Sequence, residues 1–401
     1  MPNVRPDAMQ AGLNWRSRLV WVAALNVLAL ALTGLVQAQP PAGKTQPPAG
    51  KTQSVPRQVD GAELTLIDKI PVLSLSGTPE QLGDREARLV ADQAKTLLGF
   101  APSFVKRRLG DAAWRAHVVA SRALLENAAP SHREEIAAFQ KTSGLAEEEL
   151  VASQTIYDTI NAFGCSSLIV PADQSNSGAP LLGRNFDYAS LGLLHQNDLV
   201  KVVRPEGKFA FASIGFPACF GVISGMNEHG LALALHEVRR AADGSTRFNS
   251  EGVPTLFALR QVLEECRTVD EAQELLTRLP RTTMYNLALC DAKGGAVFEV
   301  TTKNVMVRRN AGVNACTNHF RAAGLSVDKS CERFDTLMGH VQGKYSVEKV
   351  FARLGAVAQG EQTFQSMVFE PQSLILHVAI EERPSTTGTL RRLDLKTLLN
   401  K

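Results

Sequence analysis

The chain has 401 residues, of which 44% are hydrophobic and 21% are charged, and its formal net charge is +3 at pH 7. This length allows one large domain or two small ones. Basic residues are neither clustered nor interleaved with aromatic residues, which make up only 6% of the chain, so nothing indicates a nucleic-acid-binding surface.

The N-terminus has the pattern of a targeting segment. Three arginines precede a mostly apolar run over residues 19–35, and Val36-Gln37-Ala38 then offers the small-x-small site that a signal peptidase needs. We therefore predict that residues 1–38 are a signal peptide and that the protein is exported, either to the periplasm or out of the cell. Because the apolar run is slightly long for a cleaved signal, an uncleaved membrane anchor is the alternative.

Residues 39–59 are predicted to form a disordered linker. The sequence Pro-Pro-Ala-Gly-Lys-Thr-Gln occurs twice in tandem, at 40–46 and 47–53. A polar tract rich in proline and glycine cannot bury a core. Its Gly-Lys-Thr triplets lack the upstream glycine of a phosphate-binding loop, because Ala38 and Thr45 stand at that position.

Residues 60–164 are predicted to be mainly helical. A short strand at 70–75 is followed by four stretches with apolar residues at helical spacing, and Thr78-Pro79 is typical of a helix start. The predicted helices are 81–98, 112–125, 131–139 and 147–160.

Short strands separated by turn residues dominate the chain after Cys165. A pair of helices, at 254–266 and 268–279, divides these strands into two groups, and the second helix opens with a sequence similar to a capping box. The periodicity indicates a mixed α and β fold. The predicted strands are 166–170, 181–188, 199–203, 209–214, 220–223, 231–237, 286–291, 296–301, 305–308 and 374–380, with further helices at 333–341 and 347–354.

All six cysteines lie at or after Cys165, so no disulfide can join them to the preceding segment. Their spacings contain no Cys-x-x-Cys and no zinc-ligand pattern, and neither a metal nor an organic cofactor is indicated. Cys219, Cys266 and Cys290 lie in apolar sequences and are expected to be ordinary buried thiols.

Five short motifs occur along the chain. Together they resemble the cysteine branch of the N-terminal-nucleophile hydrolases. The nearest pattern is the acyl-coenzyme A:6-aminopenicillanic-acid acyltransferase-like family, and choloylglycine hydrolases and penicillin V acylases are more distant relatives. The resemblance spans roughly residue 70 to the C-terminus. The motifs are Leu73-Ser-Leu-Ser-Gly-Thr-Pro-Glu-Gln-Leu-Gly83, Gly164-Cys-Ser-Ser with Gly183-Arg-Asn-Phe-Asp187, Gly225-Met-Asn-Glu-His-Gly-Leu231, Cys316-Thr-Asn-His-Phe320 and Ser330-Cys-Glu-Arg-Phe334.

The resemblance implies an α+β fold, the four-layer αββα sandwich, and self-cleavage between Gly164 and Cys165. Residues 60–164 would be a pro-segment that becomes a small, non-covalently bound subunit, and residues 165–401 would be the catalytic subunit. After the cut, Cys165 carries both a thiol and an α-amine. A thiol with a pKa of about 8.5 is largely protonated at neutral pH, whereas an α-amine with a pKa of about 7.7–8.0 can accept its proton. From the residues alone, a buried cysteine at the head of an apolar strand is the alternative.

Four further residues receive roles from the resemblance. Asp187 would contact the new α-amine, Arg184 would lie beside the thiol, Asn318 would donate its side-chain N–H to the oxyanion, and Arg333 would support the nucleophile electrostatically. The ordinary alternatives are a solvated Arg and Asp, a turn asparagine and a helix-face arginine. A regular strand points residues three apart to opposite faces, so Arg184 and Asp187 require a bulge, a strong twist or a strand end to serve the same cysteine.

One position departs from the choloylglycine-type pattern. Where those relatives carry an oxyanion-hole asparagine, this chain has Glu237, preceded by His236. A carboxylate beside a developing oxyanion is unfavourable unless it is protonated or turned away, so we expect a backbone N–H to be the second donor. His236 and His319 are possible pocket residues.

The sequence therefore predicts an exported, self-processing cysteine N-terminal-nucleophile hydrolase. It would cleave a linear, non-peptide C–N amide bond of a small N-acyl compound through a thioester intermediate. The first alternative is an acyltransferase that moves an acyl group to an amine, and the second is an unprocessed homologue that only binds acylated ligands. A membrane partner is expected only if the N-terminal segment stays uncleaved, as in a tethered surface protein.

Overall fold

A computed structural model describes residues 56–400, apart from 160–163, 189, 191 and 328–330 and the side chains of Phe104 and Arg108. The predicted signal peptide, most of the predicted linker and the last residue of the predicted helix 147–160 lie outside the described residues. Within the described ranges, no helix is long and apolar enough to cross a bilayer.

The part of the chain before residue 160 contains strands as well as helices. Residues 57–59 were expected in the linker, but they form the first strand, because they pair with the next strand across a turn in which Gly61 has a φ of 71°. The elements are β1 (Arg57–Val59), β2 (Ala62–Ile67), β3 (Ile70–Gly77), α1 (Pro79–Leu98), α2 (Phe100–Leu109), α3 (Asp111–Leu125), α4 (Pro130–Ser143), α5 (Glu147–Gln154) and α6 (Ile156–Thr159).

Helix α1 begins where the sequence predicts a helix start. The Thr78 side chain accepts a hydrogen bond from the Gln81 N–H, and the Gln81 side chain accepts one from the Thr78 N–H, which completes a capping box. The helix packs closely on α4, because a Cβ at Gly83 would lie 2.0 Å from the Glu135 carbonyl oxygen.

Two sheets form the centre of the molecule. The first sheet has the strand order β1-β2-β3-β6-β7-β8-β9-β10-β11-β12, and the second has the order β13-β4-β5-β14-β15-β16. Neighbouring strands are antiparallel except for β3 and β6, which are parallel. The remaining strands are β4 (Gly164–Val170), β5 (Leu181–Asp187), β6 (Leu199–Pro205), β7 (Phe211–Gly215), β8 (Ser224–Asn227), β9 (Ala232–Glu237), β10 (Tyr285–Asp291), β11 (Gly294–Val300), β12 (Val305–Arg308), β13 (Asn314–Cys316), β14 (Thr363–Glu370), β15 (Ile375–Ala379) and β16 (Arg391–Asp394).

The strand predicted at 220–223 is wrong. The Val222 N–H donates to the carbonyl oxygen of Leu256, and the Phe220 N–H donates to the Gln154 side chain. Because these donors are used by a helix and a side chain rather than by a neighbouring strand, β8 begins only at Ser224.

Helices cover both outer faces. Leu168 and Val170 of β4 point outward and pack with Val350 on the second sheet's helical layer. Ile169, between them in sequence, points the other way and packs with Ala232 of the first sheet. The layers run helix, sheet, sheet, helix, and this confirms the predicted α+β fold with a four-layer αββα sandwich. The later helices are α7 (Thr255–Glu265), α8 (Val269–Arg278), α9 (Glu332–Met338), α10 (Val347–Gly355) and α11 (Leu395–Leu399).

Buried polar contacts join the segment before residue 160 to the rest of the chain. All the side chains in these contacts are at most 4% exposed, so each contact is shielded from water. They join Glu86 to Lys201 at 2.7 Å, Glu135 to Arg260 at 2.6 Å and His132 to Glu264 at 2.9 Å.

Candidate active site

Cys165 is the second residue of β4 and is only 1% exposed. Its Cα lies opposite that of Phe186 in β5, so Gly164 lies opposite Asp187. Since Cys165 and Ile169 are four residues apart on one strand, the thiol points between the two sheets. Burial raises the pKa of this thiol, and the nearby Arg184 guanidinium opposes the increase.

Arg184 lies beside the thiol. Its Cα is opposite that of Ser167, which shares a strand face with Cys165, and its positive charge lowers the pKa of the thiol. The guanidinium is completely buried, and it donates to the Ser224 hydroxyl at 3.0 Å and to the Asn185 carbonyl at 3.1 Å. A fixed positive charge is therefore held next to the sulfur.

Asp187 lies on the opposite face of β5 from Arg184, as a regular strand requires. The same face carries Asn185, whose amide donates to the Leu354 carbonyl of α10 at 2.8 Å. Asp187 is the last residue of its strand, where its Cα lies opposite that of Gly164. The strand end thus lets Arg184 and Asp187 approach the two sides of one cysteine.

Two residues without a recognisable motif hold the Asp187 carboxylate. Gln359 Nε2 donates to one carboxylate oxygen at 2.7 Å, and Thr363 Oγ1 donates to the other at 2.6 Å. Thr363 begins β14, and the pairing of β14 with β5 shifts register between Thr363 and Gln365. The sequence analysis missed both residues, because only the pairing of β14 with β5 brings them to this place.

Asn318 and Arg333 contact the backbone of Cys165. The Cys165 N–H donates to Asn318 Oδ1 at 2.8 Å, and Arg333 donates to the Cys165 carbonyl oxygen at 2.8 Å. The same guanidinium donates to Asn318 Oδ1 at 3.0 Å and lies 3.5 Å from the Asp187 carboxylate. The amide nitrogen of the Gly164–Cys165 bond is therefore held at a polar cluster that also contains Arg333 and Asp187.

Asn318 is engaged through both ends of its amide. Its Nδ2 donates to the carbonyl oxygen of Glu237 at 2.9 Å. The Glu237 side chain is 1% exposed and forms an ion pair with Arg239 at 3.2 Å. Burial, together with the Glu237 charge, raises the pKa of Tyr188 to about 12 and that of Tyr157 well above its usual value.

Tyr157 belongs to the segment that precedes Cys165 in the chain. It is 3% exposed and lies in the same hydrophobic cluster as Cys165, Phe186 and Phe364. The end of the segment before residue 160 therefore packs against the residues that surround the thiol.

His236 and His319 occupy different positions around the cluster. His236 is fully buried, and burial with the nearby charges of Arg184 and Arg333 holds its pKa well below the usual value, so the ring is neutral. His319 follows Asn318 in the loop after β13, and its backbone carbonyl accepts a hydrogen bond from Asn286 Nδ2 at 2.9 Å. Among the described residues, no group of three or more His, Cys, Asp or Glu side chains could hold a metal ion.

Comparisons with known proteins give no match among curated sequences. Three solved structures are similar. The Caenorhabditis elegans ortholog of N-acylethanolamine-hydrolyzing acid amidase is 19% identical, with a TM-score of 0.41, over 52% of this chain and 93% of that chain. A mutant conjugated bile acid hydrolase from Clostridium perfringens is 17% identical, with a TM-score of 0.40, over 58% and 93%. Penicillin V acylase from Agrobacterium tumefaciens is 14% identical, with a TM-score of 0.39, over 58% and 92%.

Residues 174–373 match the model of one protein family. The matched range begins after Cys165 and contains Arg184, Asp187, Asn318 and Arg333. The chain belongs to the acyl-coenzyme A:6-aminopenicillanic acid acyl-transferase family.

Proposed function

We propose that this protein cuts itself between Gly164 and Cys165 and then cleaves the C–N amide bond of a small linear N-acyl compound through a thioester on Cys165. The observation that carries the proposal is the set of contacts around one residue. The Cys165 thiol lies beside Arg184, its N–H is bound by Asn318, and its carbonyl is bound by Arg333.

The first step is an N-to-S acyl shift. The Cys165 sulfur attacks the carbonyl carbon of Gly164, the C–N bond breaks, and the thiol proton ends on the departing nitrogen. Arg184 favours the thiolate that attacks, because a nearby positive charge stabilises the ionised sulfur. Water then hydrolyses the thioester, which leaves a carboxylate on Gly164 and both a free thiol and a free α-amine on Cys165.

Gly164 suits this bond for a steric reason. A Cβ at this position would lie 2.3 Å from Gln359 Nε2 and 3.2 Å from the Cβ of Asp187. Any side chain would therefore push on the amide that holds the Asp187 carboxylate. Glycine leaves this support undisturbed.

The mature enzyme would use the α-amine as its base. The amine would occupy the position of the present Cys165 N–H, where Asn318 Oδ1 accepts a hydrogen bond and the Asp187 carboxylate lies near. It takes the thiol proton, and the sulfur attacks the amide carbonyl of the substrate. The protonated amine then gives its proton to the leaving amine, and the acyl group remains on the sulfur as a thioester.

Stabilisation of the oxyanion requires a change at Asn318. Its Nδ2 donates to the Glu237 carbonyl in the uncut chain, so the substrate carbonyl oxygen must compete for this donor. Removal of one such donor typically lowers the rate of catalysis by about 10²–10³-fold. The Glu237 carboxylate forms an ion pair with Arg239, and this neutralises a charge that would oppose the oxyanion.

Water or an amine can resolve the thioester. Hydrolysis is the favoured fate, because a coenzyme A thioester is a cytoplasmic metabolite and the N-terminal segment predicts export. An amine acceptor would make the protein an acyltransferase. Reactions run in water with added candidate amines distinguish hydrolysis from acyl transfer, because mass spectrometry shows whether the product is a free acid or a new amide.

The pro-segment would stay bound after the cut. Its buried pairs with the catalytic part, Glu86 with Lys201 and Glu135 with Arg260, do not depend on the Gly164–Cys165 bond. Breaking a buried pair by removing one partner typically costs about 3–5 kcal/mol. These contacts support a two-chain enzyme held together without a disulfide.

Intact mass of the denatured protein tests the proposal. The wild-type protein should give two fragments split before Cys165, whereas Cys165→Ala should give one chain and Cys219→Ala should split like the wild type. A wild-type chain that stays whole would refute self-processing and favour an acyl-ligand-binding protein. Sequencing of the smaller fragment also tests export, because a cleaved signal peptide predicts an N-terminus after Ala38.

A further inference from the structure

The Asp187 carboxylate is completely buried, and each of its oxygens has a hydrogen-bond donor. Gln359 Nε2 donates to Asp187 Oδ2 at 2.7 Å, and Thr363 Oγ1 donates to Asp187 Oδ1 at 2.6 Å. A carboxylate that is removed from water needs such donors, because burial disfavours its charge. Both donors are already in place in the uncut chain.

A third hydrogen bond joins the two donors to each other. The Gln359 backbone N–H donates to Thr363 Oγ1 at 2.7 Å. The hydroxyl therefore accepts one hydrogen bond and gives its single proton to Asp187. We call Asp187, Gln359 and Thr363 the carboxylate clamp. Because both carboxylate oxygens are bound, the clamp fixes the orientation of the carboxylate as well as its position.

The strand that carries Asp187 also fixes the position of Gln359. The Asn185 side chain lies on the same face of β5 as Asp187 and donates to the Leu354 carbonyl at 2.8 Å. Leu354 is the penultimate residue of α10, and Gln359 follows it by five residues. The end of this helix is thereby tied to β5 next to the clamp.

Gln359 also lies against Gly164. A Cβ on Gly164 would be 2.3 Å from Gln359 Nε2, so the side-chain amide packs on the glycine Cα. Gly164 carries the carbonyl carbon that the Cys165 sulfur would attack. One side chain therefore contacts both the acyl residue of the bond to be cut and the carboxylate beside that bond.

We propose that Gln359, supported by Thr363, is a positioning residue for self-cleavage. Its amide holds Gly164 in place next to Cys165 and keeps the Asp187 carboxylate beside the Gly164–Cys165 bond. This inference rests on the proposed function. A misplacement of about 1 Å can lower a rate by about 10²-fold, so loss of this side chain should change the time course of cutting.

The first test compares Gln359→Ala with Gln362→Ala in the full-length chain. Samples from cell-free synthesis are denatured at intervals, and intact mass gives the fraction cut. Gln359→Ala should slow self-cleavage by about 10- to 100-fold. Gln362→Ala is the matched control and should cut like the wild type, because its side chain is exposed. Thermal unfolding of both variants in the Cys165→Ala background separates a loss of fold from a loss of rate.

The supporting role of Thr363 is tested by a pair of substitutions. Thr363→Val removes the hydroxyl but keeps the shape of the side chain, and it should slow self-cleavage about tenfold, because one hydrogen bond to a charged group is lost. Thr363→Ser keeps the hydroxyl and should restore a rate close to that of the wild type. Equal rates for Thr363→Val and the wild type would overturn the role given to Thr363.

Gln359→Glu gives a readout that a purely structural role would not change. The introduced carboxyl would lie within hydrogen-bonding distance of the Asp187 carboxylate. Two carboxyl groups this close retain one shared proton at acidic pH and lose it as the pH rises. The protonated pair keeps a hydrogen bond in place of the amide, whereas the doubly ionised pair repels itself. The rate relative to the wild type should therefore rise at least about tenfold from about pH 8 to about pH 5, whereas the relative rate of Gln359→Ala should stay constant.

Other charged and titratable groups near the clamp are common to the variant and the wild type. Arg333 approaches from α9 and lies 3.5 Å from Asp187 Oδ2, and the Cys165 thiol lies on the neighbouring strand β4. Glu361, two residues after Gln359, is exposed and lies 3.9 Å from Arg383. Because both proteins contain these groups, the ratio of their rates reports on the introduced carboxyl.

The possible results separate this inference from the proposed function. A wild-type chain that cuts, together with a Gln359→Ala variant that cuts equally fast, would overturn the inference alone. A relative rate of Gln359→Glu that does not change with pH would do the same, even if Gln359→Ala fails to fold. A wild-type chain that stays whole would overturn both the inference and the proposed function.

Discussion

Arg333→Lys should slow self-cleavage by about 10- to 150-fold. The guanidinium spans two acceptors, the Cys165 carbonyl oxygen at 2.8 Å and Asn318 Oδ1 at 3.0 Å. A lysine ammonium keeps the charge, but it is a point donor on a flexible stem and loses this fixed two-point geometry. The loss of one hydrogen bond to a charged group is worth about 1.5–3 kcal/mol. If this free energy is lost entirely from the transition state, the rate of self-cleavage falls by about 10- to 150-fold, because each 1.4 kcal/mol corresponds to about a tenfold change in rate.

The assay follows cleavage in time. The chain is synthesised in a cell-free system, samples are denatured at intervals, and intact mass gives the fraction cut. Arg309→Lys is the matched control, because its guanidinium pairs with Asp270 on the surface, where such pairs contribute little. Thermal unfolding of both variants in the Cys165→Ala background separates a loss of fold from a loss of rate. A half-time for Arg333→Lys equal to that of the wild type would refute the role given to the guanidinium.

Three further substitutions probe the supporting structure. Arg260→Met should lower the free energy of unfolding by about 3–5 kcal/mol at pH 7 by urea denaturation, because two buried carboxylates lose their cation. Arg260 is a principal cause of the low pKa of Glu264, which is about 2. The stabilisation by this pair is therefore present above about pH 4.5 and disappears as the pH falls towards 2. If Arg260→Met lowered the free energy of unfolding equally at pH 3 and pH 7, this account would be contradicted. Gly183→Ala should lower the free energy of unfolding by about 1–3 kcal/mol, because a Cβ would lie 2.4 Å from the Val350 side chain. An unchanged melting temperature would show instead that α10 shifts to make room for the methyl group. Burial raises the pKa of Asp158 to about 7, so the folded chain keeps a proton that the unfolded chain releases, and the associated stability is complete below about pH 4 and lost as pH rises through 7. Asp158→Asn should flatten the decrease in stability between pH 4 and 7 in urea titrations, and an identical slope in both proteins would refute the assignment.

The helices and strands that could be predicted are those with a recognisable local pattern, such as a helix cap or an apolar run. Helix α1 follows a capping box at Thr78, and strands β4 and β5 follow apolar runs separated by a polar turn. The αββα arrangement was predicted only through the family resemblance, because periodicity alone gives a mixed fold without a layer order.

The elements that were missed lack such local patterns. Strand β14 carries the buried polar residues Gln365 and Ser366, whose partners lie far away in sequence, so the strand resembles a loop. For the same reason Gln359 and Thr363 could not be recognised as the groups that hold Asp187. The resemblance named Arg184, Asp187, Asn318 and Arg333, but which atoms of Cys165 each one contacts depends on the strand register and on the loop after β13.

The parallel pairing of β3 with β6 has a consequence for how the two parts of the chain can exist. Residues 72–77 pair with residues 200–205, so the segment before residue 160 supplies a neighbour of β6 within the first sheet. Residues 165–401 synthesised alone would present β6 as a bare edge. Its residues Val200 and Val202 are apolar and are fully buried between the two sheets in the complete chain. An unpaired apolar edge is a template for aggregation. Strand β3 is thus an integral part of the first sheet, and separate expression of residues 165–401 should give insoluble protein.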